Sequence, residues 1–187
     1  MKSGNLTILY KYCALLTVIF SGGYHSQTAV TMYNLTGNFW QLPKLNTGRW
    51  SHGCGSYTRE DQTILLVAGG TGSDFAALQT SEVIILGDWD DWQYVVDLPG
   101  PRQFLSSAKV GNDIYISGGE SVYNPGMQDY EDKHDILMWE PDLEEEEEVV
   151  GAWVEVTKLK VARNFHGMAA VPEEFVTKYC DVRETER

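Results

Sequence analysis

The sequence predicts an all-β chain of blades, each of four antiparallel strands, that form an incomplete propeller ring. Three observations predict it. Three apolar runs close on a glycine pair, Thr17 to Gly23, Ile64 to Gly70 and Asp113 to Gly119, and the pairs recur 47 and then 49 residues apart. Each pair is followed by a tryptophan, Trp40, Trp92 and Trp153, and an arginine stands nine or ten residues beyond each, at Arg49, Arg102 and Arg163. The runs themselves are short, rich in β-branched and aromatic residues and free of proline, which suits strands covered on both faces.

Self-similarity at this period marks a supersecondary unit that cannot bury its apolar face alone and leans on its neighbours. Its elements follow in order. A stretch opening at the arginine, as in Arg49 to Tyr57, leads into the glycine-ended strand. A loop follows, then a second apolar run: Ala29 to Tyr33, Glu82 to Leu86, Asp135 to Trp139. Polar turns such as Asn34 to Asn38 and Gly87-Asp88 supply residues that tolerate positive φ, and the Trp-bearing strand completes the unit. The predicted blades span 14–43, 49–99 and 102–157, with an opening strand over 163–171. Residues 1–13 read as a leader or partial strand, and 172–187 as a tail or a truncated next blade. Propellers close with about 4 to 8 blades, so the remaining blades are expected to be missing. An open arc exposes an apolar sheet face at each end and an unpaired edge.

The ordered markers resemble the kelch repeat. They comprise the glycine pairs Gly22-Gly23, Gly69-Gly70 and Gly118-Gly119, a Tyr position held by Tyr33, Leu86 and Trp139, and the three tryptophans, with Leu42-Pro43 and Leu98-Pro99 after the first two. The start Arg-x-x-His-Gly is matched by Arg49 to Gly53 and Arg163 to Gly167. The middle copy departs, reading Arg102-Gln103-Phe104-Leu105-Ser106. The resemblance spans about residues 14 to 171. It implies that the Trp is a packing anchor between blades and the Arg a tether for neighbouring backbone.

The 187 residues carry a net charge of −13 and no basic run, so nucleic acid is excluded as a first expectation, because phosphate neutralisation needs clustered cations. Asp142 and Glu144 to Glu148 form one acidic block, read as a solvated hairpin insertion or as a docking patch for a basic partner. The apolar stretch from Tyr12 to Phe20 before Ser21-Gly22-Gly23 is too short to span a membrane. Residues 1–23 read either as a secretory signal or as the first glycine-ended strand; the strand is preferred, since the hairpin after Gly23 needs one before it. Three cysteines, Cys13, Cys54 and Cys180, are a sparse, odd set ordinary for a reduced cytosolic protein. Asn34-Leu35-Thr36 is a glycosylation sequon that matters only in a secreted chain.

Candidate chemistry is thin. His52 and His166 occupy the same repeat position, which argues for structure over metal ligation. His25 and His134 each sit alone in a loop after a glycine pair, and no nucleophile elbow, phosphate loop or carboxylate pair appears. No enzyme activity, cofactor or metal is therefore expected. The expected function is noncatalytic protein binding, through post-glycine loops that vary between copies. Their candidate contact residues are Tyr24, His25, Asp74, Phe75, Tyr123, Asn124, Met127 and Tyr130, because aromatic loop residues give large contact area at low entropy cost. The resemblance leaves two alternatives: a fragment of a secreted galactose-oxidase-like copper enzyme, or the substrate receptor of a ubiquitin ligase adaptor, although no segment here reads as a BTB domain.

Overall fold

A computed structural model describes residues 17–34, 36–87, 91–126, 128–142 and 149–171. The described residues contain strands and no helix. The first sheet pairs β1 (Thr17–Ser21), β2 (Val30–Asn34) and β3 (Phe39–Leu42) in that order. The second runs β4 (Gly53–Arg59), β5 (Gln62–Ala68), β6 (Ser81–Ile85), β7 (Gln93–Val95). A third contains β8 (Ser106–Val110), β9 (Asp113–Ser117), β12 (Asp135–Asp142) and β13 (Val150–Lys158), ordered β13-β12-β9-β8. All pairings are antiparallel between chain neighbours, apart from the insertion of one hairpin, β10 (Glu120–Asn124) with β11 (Asp129–Asp132).

Side chains alternate across a strand, and β5 uses both faces. Leu65 and Val67 point into a cluster with Val30, Leu45, Ile84 and Trp92, joined by Ile19 and Leu42 of the first sheet. Ile64 and Leu66 point the other way, with Tyr57, Val83 and Ile85 against Ile114, Trp139 and Val149 of the third. A further cluster places Ala68 and Leu98 against Leu105, Ile116 and Leu137. The second sheet is thus covered on both sides, which explains why its central strand is apolar at successive positions instead of alternating. Each fully buried aliphatic side chain contributes about 1.5–3 kcal/mol relative to exposure.

Two expectations need correction. The segment 163–171, expected to open a strand, lies in no strand. The equivalent leading strands β4 and β8 pair with the glycine-ended strand that follows them, β5 and β9, and the stretch after 171 lies outside the described residues. The post-glycine loop expected to carry Tyr123, Asn124, Met127 and Tyr130 is largely the β10-β11 hairpin, in which Val122, Tyr123 and Tyr130 favour extended backbone and Tyr123 pairs across to Tyr130. Residues 1–16, 172–187, the acidic block 143–148 and Met127 fall outside the described residues, as do Cys13 and Cys180.

Candidate functional site

The glycine pairs and arginines form one connected system. The second glycine of each pair donates its N–H to the carbonyl of the next arginine: Gly23 to Arg49 at 3.0 Å, Gly70 to Arg102 at 2.9 Å and Gly119 to Arg163 at 2.7 Å. The guanidinium then reaches forward, Arg49 Nη1 to the Gly69 carbonyl at 2.7 Å and Arg102 Nη1 to that of Gly118 at 3.3 Å. Every first glycine has positive φ, 62°, 64° and 58°, and a Cβ there would collide with the arginine carbonyl of the next copy. Only glycine meets both demands.

Two buried arginines are paired. Arg49 and Glu82 are both fully buried and 2.5 Å apart, and Glu82 also accepts the Asn46 N–H at 2.7 Å and the Thr47 N–H at 3.0 Å. Arg102 meets Asp135 at 2.5 Å. Buried charges satisfied in this way hold neighbouring segments in register. Arg163 is exposed. The tryptophans tie sheets together: Trp92 Nε1 donates to the Pro43 carbonyl at 2.9 Å, and Trp153 Nε1 to Ser81 Oγ at 3.1 Å. Trp40, on the edge strand of the first sheet, is half-buried.

Residues flanking these markers meet their counterparts in the next copy as matched pairs. Before the glycines, Ser21 is hydrogen bonded to His52 and Ser117 to His166, each at 2.8 Å. In the middle copy Ala68 and Leu105 share an apolar cluster instead. After the glycines, Tyr24 meets Trp50 edge to face at 5.3 Å, Thr71 donates to Gln103 at 2.8 Å, and Asn164 donates to Glu120 at 2.9 Å. Burial and the adjacent Arg49 lower the His52 pKa from 6.5 to about 3, and burial followed by Arg163 lowers that of His166. Both imidazoles are therefore neutral spacers, and neither site gathers further ligands: among the described residues no group of three His, Cys, Asp or Glu is placed to hold a metal.

The same turns carry an aromatic row. Tyr24 contacts Trp50, Trp50 contacts Phe104 at 5.4 Å, and Phe104 stacks on Phe165 at 3.8 Å. Phe75 flanks Tyr24 at 6.5 Å, and His25 packs on it at 5.0 Å. Tyr24, Phe75 and Phe165 are 55%, 66% and 71% exposed, so rings that touch one another still face solvent.

The structure therefore brings Tyr24, His25 and Phe75 together. Asp74 instead caps its turn, accepting the Ala76 N–H at 3.1 Å. Tyr123 and Tyr130 form a separate edge-to-face pair at 5.5 Å on the hairpin, beside Asn124, whose backbone pairs with Asp129. Sequence reasoning missed Trp50, Phe104 and Phe165. Their signal was present as an aromatic one or two residues after each arginine, where Ser51, Phe104 and Phe165 share φ near 50°, at 50°, 54° and 49°.

No helix among the described residues is long and apolar enough to cross a membrane. No family model matches the chain, and no curated protein does. Among solved structures it is similar to one titled "Structure of YjhT", at a TM-score of 0.55 and 11% identity; the match covers 76% of this chain and 42% of that one. The likeness is one of fold, and this chain spans less than half of that structure.

Proposed function

We propose that the chain is part of a kelch-type propeller that acts as a noncatalytic protein-binding module. The observation that carries this reading is the row of touching rings Tyr24, Trp50, Phe104 and Phe165, flanked by Phe75, in which Tyr24, Phe75 and Phe165 are exposed and Trp50 and Phe104 are half-buried between them. Aromatic residues dominate binding energy at protein interfaces, and contiguous apolar surface rimmed by polar groups marks contact sites. Neighbouring sheets of three and four strands joined by repeating Gly-Gly and Arg contacts support the propeller reading, because in such arrays each unit contacts its neighbours in the same way.

A photo-crosslinking residue placed at Phe75 tests the binding role. The expected result is a discrete protein adduct that disappears when Tyr24 and Phe165 are both changed to Ser, with the unfolding midpoint unchanged. An adduct that persists in that variant contradicts it. Metal analysis separates the reading from a copper enzyme: stoichiometric copper in the purified protein would overturn it.

A further inference from the structure

We propose that the outer edge of β11 is a second interaction surface, which takes a basic, extended segment of a partner protein as an added antiparallel strand. The hairpin β10-β11 is an insertion in the repeat. In the first two copies, residues 24–29 and 71–80 lead from the glycine pair to the next apolar strand without forming one of their own, whereas 120–134 of the third copy form two. The base of the hairpin is fixed. Gln103 and Glu120 exchange backbone hydrogen bonds at 2.9 Å, the Lys133 N–H donates to the Gly119 carbonyl at 2.7 Å, and Glu120 and Ser121 are buried. Beyond the base, Val122, Tyr123 and Tyr130 are exposed. A two-stranded hairpin is only marginally stable by itself, so a third strand would stabilise it.

β11 pairs with β10 on one side and has no second neighbour among the described residues. In an antiparallel pair every second residue turns its N–H and C=O away from the partner strand. The Tyr130 N–H donates to the Asp129 carboxylate at 2.8 Å, a side chain that an incoming strand can displace. The edge is also acidic. Asp129, Glu131 and Asp132 are all exposed, and Lys133, the one cation of segment 120–133, is engaged with Glu131 at 3.5 Å. Successive side chains alternate between the two faces, so Asp129 and Glu131 line one face, while Asp132 shares the other with Tyr130 and the Tyr123 ring paired to it.

Charge decides the occupant. A second copy is the wrong partner: where β11 pairs antiparallel with itself, Asp129 stands opposite Asp132 or, one residue out, opposite Glu131, and like charges directly opposite destabilise a sheet. Charge on an edge strand blocks self-pairing in this way but leaves the edge open to a strand of opposite sign. Main-chain hydrogen bonds then give affinity, and alternate side chains give specificity. The complementary strand is basic opposite Asp132, Glu131 and Asp129 and apolar opposite Tyr130, in the order basic, basic, apolar, basic along the antiparallel partner. The net charge of −13 draws such a segment toward the chain.

A labelled synthetic peptide, Thr-Lys-Arg-Val-Lys-Thr, titrated into the full-length protein at low ionic strength tests the pairing by fluorescence anisotropy. Saturable binding is expected, weakening with added salt and falling about tenfold when Asp129→Asn and Glu131→Gln are combined. Both substitutions are near-isosteric and lie at exposed positions, so the urea midpoint is expected to stay unchanged. Binding is expected to be lost when the peptide is N-methylated at Val and at the first Lys, which keeps its charge and removes the donors that face Tyr130 and Asp132. The Tyr24→Ser, Phe165→Ser variant is expected to bind the peptide as the parent does, which separates this surface from the aromatic row. Absence of binding overturns the proposal, as does binding unchanged by Asp129→Asn with Glu131→Gln. Equal binding of the N-methylated peptide, which shows attraction of charge alone, or binding that requires Tyr24 and Phe165, overturns it as well.

Discussion

Ser21 Oγ and His52 Nε2 lie 2.8 Å apart between the first glycine pair and the start of the next copy, and Ser117 and His166 repeat that distance. Each hydrogen bond uses one imidazole nitrogen, and the other, Nδ1, is buried without a partner. A proton on His52 would have to be accommodated next to Arg49, and burial already disfavours it, holding the pKa near 3 against 6.5. With the folded value below the unfolded one, the unfolded chain takes the proton first as pH falls. Stability is fully present above about pH 6.5 and lost as pH drops toward about 3, at a limiting slope of about 1.4 kcal/mol per unit for this histidine. The double substitution Ser21→Ala and His52→Leu, which copies the middle repeat, should flatten the acid limb of urea unfolding stability. An acid limb of unchanged slope would refute the assignment.

Trp92 is 2% exposed and its indole reaches the preceding sheet at Pro43. Trp92→Ala should cost about 3–5 kcal/mol, by cavity formation and lost transfer energy. Trp153 is only partly buried, so Trp153→Ala should cost less. Equal midpoints for Trp92→Ala and the parent chain in urea titration would remove the packing role.

Gly69 and Gly111 have nearly the same φ, 64° and 61°, but different surroundings. A Cβ on Gly69 would lie 2.8 Å from the Arg102 carbonyl, whereas one on Gly111 meets nothing within 4 Å. Gly111→Ala should therefore cost only the left-handed backbone penalty, about 1–2 kcal/mol. Gly69→Ala should cost that and the displacement of the Gly70 to Arg102 contact. Matching losses of stability in the two variants would show that the close approach carries no energy.

Much of this organisation was legible in the sequence because the repeat is periodic and its markers are chemically distinctive. Gly22, Gly69 and Gly118 need positive φ beside a carbonyl, which only glycine tolerates cheaply, so they recur visibly. The partners were not legible. That Arg49 reaches Glu82 and that Asn164 reaches Glu120 depends on contacts between residues 33 and 44 apart, and no periodicity specifies them. The aromatic row went unseen for a similar reason: Trp50 and Phe104 stand at different offsets from their arginines, and only the shared turn geometry aligns the rings. The middle copy's departure at Leu105 is matched by Ala68, with which it shares an apolar cluster, and the sequence alone does not pair the two.

That substitution supplies the most direct test of the central claim, that successive copies repeat their interfaces through matched pairs. Ala68→Ser and Leu105→His should each destabilise the chain when made alone, by about 1–3 kcal/mol, since each buries a polar group without its partner. Made together they recreate the Ser21–His52 pair, so a double-mutant cycle in urea should show a favourable coupling of about 1 kcal/mol or more. Additive losses, within about 0.5 kcal/mol, would contradict the account.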